Sequence, residues 1–309
     1  GVFGGGNNIA EVYSVSTNTI TAAAWASGNA MNTARSSMYS GPIGSQTAAL
    51  AAGGSLGPPG RSNASEEYDG SSWTTVNTVP VTLSSRGAAG TQAAGLLFGG
   101  NPSPATVTTT TEYDGTNYSE GGAMNNARGY APIASGTQTA ALAASGYNPP
   151  VTHVSVTEYY DGSAWTAQPA ASPQLYGASC GGTQTATWAA MGISPPSGKS
   201  VFEWDGSSWT TGGAYNTDRV VNAFGGGPQT AAWMCGGDKD PGLPTSTNHY
   251  NGTTWASAPN IGTARSGYGQ AGTQAAGLIF GGATPSVTTA TEEFTGETTA
   301  VNIETFSTS

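Results

Sequence analysis

The chain repeats itself from end to end, and a repeated chain must fold as an array of like units. A segment of the form Gly-Thr-Gln-Thr-Ala-Ala-Leu-Ala-Phe-Gly-Gly recurs with variations at 46–54, 91–100, 136–146, 182–192, 227–237 and 272–282. The opening Gly1-Val2-Phe3-Gly4-Gly5 reads as the tail of a further copy. The last glycine of each copy falls at 5, 54, 100, 146, 192, 237 and 282, a spacing of 45 to 49 residues.

Two further signatures recur in fixed order with the first. An aromatic residue, Asp-Gly, two residues and Trp appear as Tyr68-Asp69-Gly70 to Trp73, Tyr160-Asp161-Gly162 to Trp165 and Trp204-Asp205-Gly206 to Trp209. Tyr113-Asp114-Gly115 leads to Tyr118, and Tyr250-Asn251-Gly252 to Trp255. Phe294-Thr295-Gly296 is degenerate, and Tyr13 with Trp25 is a looser first copy. The third signature, Asn-Thr-Ala-Arg, places Arg35, Arg128, Arg219 and Arg265, with Arg86 a looser match and Tyr176 near that place in the remaining copy.

Each unit therefore predicts four short strands. Strand a runs on from the arginine, and strand b is the apolar Ala-Leu-rich run ending in Gly-Gly. Strand c ends at the aromatic residue, and strand d begins at Trp. Asp-Gly between strand patterns signals a hairpin of type I′, in which both central residues have positive φ. Four strands per period of about 45 residues is the arithmetic of a propeller. Such sheets bury both faces only when stacked radially, with small Ala and Gly near the axis and Trp and Tyr further out.

These landmarks resemble kelch repeats over the whole chain. The wording Tyr-Asp-Gly-x-x-Trp-Thr, Asn-Thr-Ala-Arg and Gly-Thr-Gln-Thr-Ala-Ala is similar to that of virion-associated kelch-like proteins of marine bacteriophages. The resemblance implies a kelch-like β-propeller, and the count of units predicts an all-β, seven-bladed ring of four-stranded antiparallel blades, a single domain over 1–309. A partial blade occupies 1–27, and blades start near 33, 84, 126, 174, 217 and 263. One blade is expected to close with strands from both chain ends, the segment 298–306 supplying one of them.

Composition removes several functions. Eight Lys and Arg against 18 Asp and Glu give a net charge of −10, with no basic patch for nucleic acid. No apolar run reaches the length of a membrane-spanning helix. The first residues lack the charged start of a signal peptide. Cys180 and Cys235 give neither metal spacing nor a disulfide framework.

No constellation predicts catalysis, a cofactor or a metal. Asp69, Asp114, Asp161 and Asp205 recur with the scaffold and read as turn caps; Glu67, Glu112, Glu203 and Glu293, with Glu158 one place earlier, read as partners of the repeated arginines. Those arginines, Arg35, Arg86, Arg128, Arg219 and Arg265, either pair with strand c glutamates or ring the mouth of the channel. His153 and His249 are too far apart in blade order for the shared copper site that some kelch-like oxidases use. A glycosidase needs paired carboxylates outside the repeat register, and Glu120, Asp218, Glu297 and Glu304 offer no evident pair.

Recognition is expected in the variable b–c loops, 55–64, 101–105, 147–151, 193–199, 238–245 and 283–286. They hold the non-repeat cations Arg61, Lys199 and Lys239, and the charge cluster Asp238-Lys239-Asp240. The resulting expectation is a non-enzymatic structural or adhesion protein of a virion, extracellular, presenting these loops to a host surface glycan or a neighbouring virion protein. A secreted carbohydrate-binding propeller is the alternative, and a polysaccharide-active enzyme a third. The repeats allow a homo-oligomer without requiring one.

Overall fold

The computed structural model describes residues 12–101, 106–149, 152–171, 173–193, 200–216, 221–239 and 242–307. Among these there is no helix, and the strands form six four-stranded antiparallel sheets. Blade 1 comprises Gly44–Ser45, Ala48–Ala52, Ser65–Tyr68 and Trp73–Val76. Blade 2 comprises Gly87–Thr91, Ala94–Phe98, Thr110–Tyr113 and Tyr118–Gly121. Blade 3 follows with Ile133–Thr137, Ala140–Ala144, Val156–Tyr160 and Trp165–Ala171. Blade 4 is Ser179–Thr183, Ala186–Ala190, Val201–Trp204 and Trp209–Thr211. Blade 5 is Phe224–Gly226, Ala232–Cys235, Thr247–Tyr250 and Trp255–Ala258. Blade 6 takes Gly269–Gly272, Ala276–Phe280 and Thr291–Thr295 from the end of the chain and Ala24–Gly28 from its start. The inner strands touch from blade to blade all the way round, blade 6 on blade 1 included.

The protein is thus a six-bladed propeller, one blade fewer than the sequence predicts. Residues 1–11, which hold strand b and the start of strand c of the expected N-terminal blade, lie outside the described residues. Ala24–Gly28 instead pairs with Thr291–Thr295 as the outer strand of blade 6, setting Trp25 opposite Phe294. The C-terminal segment does not enter the ring. Thr298–Ser307 pairs with Val12–Thr21 over ten residues in a separate two-stranded ribbon, and Ile20 and Val301 on it are exposed. Closing the last blade with a strand from the other chain end covers the edge of Thr291–Thr295 and ties both chain ends into one sheet.

Strand a also starts later than the sequence predicts. Arg35, Arg128 and Arg265 lie in the crossing from strand d to strand a, before the inner strands at Gly44, Ile133 and Gly269. In blade 1 the intervening residues fill the propeller axis. Met38, Tyr39, Ser40 and Ile43 are fully buried. Ser40 N donates to Arg86 O of blade 2 (3.0 Å), and the Ser40 hydroxyl donates to Pro132 O at the entry to blade 3. Gln270 of blade 6 donates to Ser40 O, and Pro42 lies against Gly226 of blade 5.

The c–d turns differ from type I′. Tyr68 pairs with Trp73, so the loop has four residues, Asp69 to Ser72. Only Gly70 has positive φ, at 89°. The Asp69 carboxylate replaces the second special backbone, accepting from the amides of Ser71 (2.8 Å) and Ser72 (2.7 Å). Asp114, Asp161, Asp205 and Asn251 accept from the same two amides of their turns. These bonds, that from the Ser72 amide first, hold the Asp69 carboxyl down at about 2.

Candidate functional site

Three sets of side chains lock blade to blade, and they account for most of the repeated polar residues. The glutamine of each Gly-Thr-Gln turn donates to two carbonyls of the preceding blade, one on strand b and one on strand c. Gln92 reaches Ala49 O (3.1 Å) and Tyr68 O (2.8 Å), and Gln46, Gln138, Gln184, Gln229 and Gln274 do the same in their places. The glycine before this turn is obligatory. At Gly90 φ is +104°, and a Cβ would stand 2.2 Å from Ala94 O.

The second set joins strand c aromatics to the preceding blade. Tyr113 donates to Glu67 (2.9 Å) and Tyr250 to Glu203 (2.7 Å), while Tyr160 donates to Glu112 (2.5 Å) and Tyr68 to Glu293. Trp204 meets Tyr159 and Phe294 meets His249 in the same places. These glutamates therefore do not pair with arginine. The third set is the strand d tryptophans: Trp73, Trp165, Trp209 and Trp25 donate to Thr291, Thr110, Thr157 and Thr247 of the preceding blade.

The arginines bind one residue earlier in strand c. Arg35 donates to Glu66 (2.9 Å), to Gly53 O and to Ala64 O, all within blade 1. Arg128 pairs with Glu158 and Arg265 with Glu292 (2.5 Å), each with two backbone carbonyls besides. Each guanidinium is fully buried, so none lines a channel mouth. Glu66 and Glu292 were hidden in the sequence by the glutamates that follow them. Arg86 has no carboxylate partner, and burial pushes it down to about 10. Arg219 lies outside the described residues.

The loop charges within the described residues are Arg61, Asp238 and Lys239. Arg61 is half-buried and donates to Ser84 (3.3 Å); Asp238 is exposed and its backbone bridges to Val221. Lys239 is half-buried, with its amide on Gly242 O (2.9 Å). Lys199 and Asp240 lie outside the described residues, as does Asp218. Cys180 and Cys235 are buried free thiols, pushed up to about 12 by that burial. No group of three His, Cys, Asp or Glu among the described residues is placed to hold a metal ion.

What the structure does bring together on the loop face is aromatic. Tyr130 comes from the crossing between blades 2 and 3, Tyr147 and His153 from the b–c loop of blade 3, and Tyr176 from the crossing to blade 4. Tyr147 and Tyr176 lie 5.3 Å apart at 34°, and His153 is 5.7 Å from Tyr147 and 5.4 Å from Tyr176. Tyr130 stands edge-on to both tyrosines, at 5.5 and 6.3 Å. All four are half-buried. The backbone holds them firmly: Gly129 and Tyr147 exchange two bonds of 3.1 Å, and Gly177 N donates to Tyr130 O (2.9 Å). Tyr130 adopts φ +58°, rare for a bulky side chain. Buried His153 Nε2 has no hydrogen-bond partner. The sequence signal for this patch is aromatics outside the repeat register: the places of Tyr147 in other blades hold Ser55, Asn101, Ile193, Asp238 and Ala283.

No protein-family model matches the chain, and no curated protein matches it. Among solved structures it is similar to one titled "Structure of YjhT", with a TM-score of 0.68 and 15% sequence identity, over 88% of this chain and 99% of that one. At that identity the likeness concerns the propeller fold alone.

Proposed function

We propose that this propeller is a non-enzymatic adhesion protein of a bacteriophage virion, of the kelch-like kind its repeats resemble, and that its loop face binds a host surface glycan. The Tyr130, Tyr147, Tyr176 and His153 patch carries this reading. Sugar rings present C–H faces that stack on aromatic rings, and rings already held by backbone bonds lose little entropy on binding. His153 adds a third ring against Tyr147 and Tyr176. Among the described residues the repeated carboxylates are occupied with turns, tyrosines and arginines, which favours the patch as the recognition surface. A Ser- and Thr-rich chain with only 8% charged residues suits a particle surface, because its few charges offer little for non-specific ionic adsorption.

A glycan array with the purified protein tests the binding surface. The expected result is binding to a defined set of neutral glycans, lost at least tenfold in Tyr147→Ala and Tyr176→Ala with the melting temperature kept. Binding unchanged in both variants overturns the patch. A peptide mass-spectrometric inventory of purified particles tests the setting: fixed stoichiometry supports the virion. Glycan binding by a chain that is absent from particles favours a secreted carbohydrate-binding propeller, a reading the same patch supports.

A further inference from the structure

We propose that blade 2 holds a chloride-sized monovalent anion at Arg86 Nη1, beside the Thr111 hydroxyl. In blades 1, 3 and 6 the strand c residue two places before the aromatic is Glu66, Glu158 or Glu292, and each carries an arginine. In blade 2 that residue is Thr111, buried before Tyr113. The crossing residue that corresponds to Arg35 is Leu83, one place before Ser84, which bridges to Asn101 as Ser36 bridges to Ser55. Arg86 enters instead from three residues further along and is 1% exposed.

Its partners are all neutral. Nη2 donates to Leu97 O (3.1 Å) and to Thr111 Oγ1 (2.9 Å), while Nη1 and Nε have no partner. An unbonded Nε is common to Arg35 and Arg128 and decides nothing. Nη1 decides, because in those residues it is bound to two backbone carbonyls. Arginine does not shed its proton in proteins, so a guanidinium in this place stays charged. A buried, uncompensated cation is far costlier than an unmade neutral hydrogen bond, and a water molecule satisfies the bond but not the charge. Thr111 accepts from Nη2, which leaves its own proton to donate. Threonine has two side-chain heavy atoms fewer than glutamate, a difference that suits a single halide and is too small for phosphate.

Two measurements test the site. Crystals grown in sodium bromide are expected to show an anomalous peak within hydrogen-bond reach of Arg86 Nη1. In solution, the melting temperature is expected to be a few degrees higher in about 0.5 M sodium chloride than in sodium gluconate of equal ionic strength. Thr111→Glu supplies the carboxylate that blades 1, 3 and 6 have, so it abolishes both the peak and the chloride dependence while keeping the fold. Arg86→Met also loses the dependence; where it does not fold, the Thr111→Glu comparison and the bromide peak decide. No peak at Arg86, or an equal chloride response in the wild type and Thr111→Glu, overturns the proposal.

Discussion

At the scale of the residue, the repeats supply their own controls. Four strand d tryptophans donate their indole N–H to a threonine of the preceding blade, and Tyr118 shares a hydrogen bond with Ser65 in that place (2.8 Å). Trp255 breaks the pattern. Its place in blade 4 is held by Val201, and the buried Trp255 Nε1 has no partner. Valine and threonine have nearly the same shape, so Val201→Thr adds an acceptor without adding volume. The expected outcome is a gain of about 0.5–1.5 kcal/mol, the net worth of an ordinary hydrogen bond. Urea denaturation at unchanged m-value measures it. A loss of stability would mean that the threonine hydroxyl is not turned toward the indole.

At the scale of the element, the four-strand unit and both hairpins of each blade were legible in the sequence. They depend on residues within one repeat: the left-handed glycine before Thr-Gln, the Asp of the c–d turn and the apolar strand b. What was not legible lies between repeats. Nothing local says that Glu67 serves the next blade's Tyr113 while Glu66 beside it serves Arg35, because both are set by which way a strand c side chain faces. The tyrosine latches have a consequence in alkali. Burial first, and the facing Glu112 and Glu203 second, push the Tyr160 and Tyr250 phenols up from an ordinary value near 10 to about 12. A folded-state value above the unfolded one means the contribution is complete below pH 10 and fades as pH rises through 12. The melting temperature is therefore expected to fall across that window, less steeply in Tyr250→Phe, which has no proton to release there. The same slope in wild type and variant would sink this assignment.

At the scale of the whole molecule, two features decide the shape, and both are settled by closure of the ring. One is the number of blades. Trp25 fits the outer strand of blade 6 as Trp73 fits blade 1, a contact across some 270 residues that no reading of the first repeat alone discloses. The aromatic patch is of the same kind, assembled from three segments whose sequences are unremarkable apart. The other feature is the filled axis. The blade 1 crossing has the sequence slot of any other, yet it runs through the centre and touches every neighbour. Gly41 is its tightest point: a Cβ there would stand 2.0 Å from Ala88 O and 2.9 Å from Ala134 O, backbone of blades 2 and 3. Neither carbonyl can move without shifting an inner strand. Gly41→Ala, a single methyl at a residue outside any strand, is therefore expected to cost about 3 kcal/mol, the upper end for overpacking a core. A loss of that size in urea denaturation, with the glycan-binding face unaffected at low denaturant, places the stability of the ring in its plug. A variant as stable as the wild type would show that the axis has room to spare, and that the blades alone hold the ring at six.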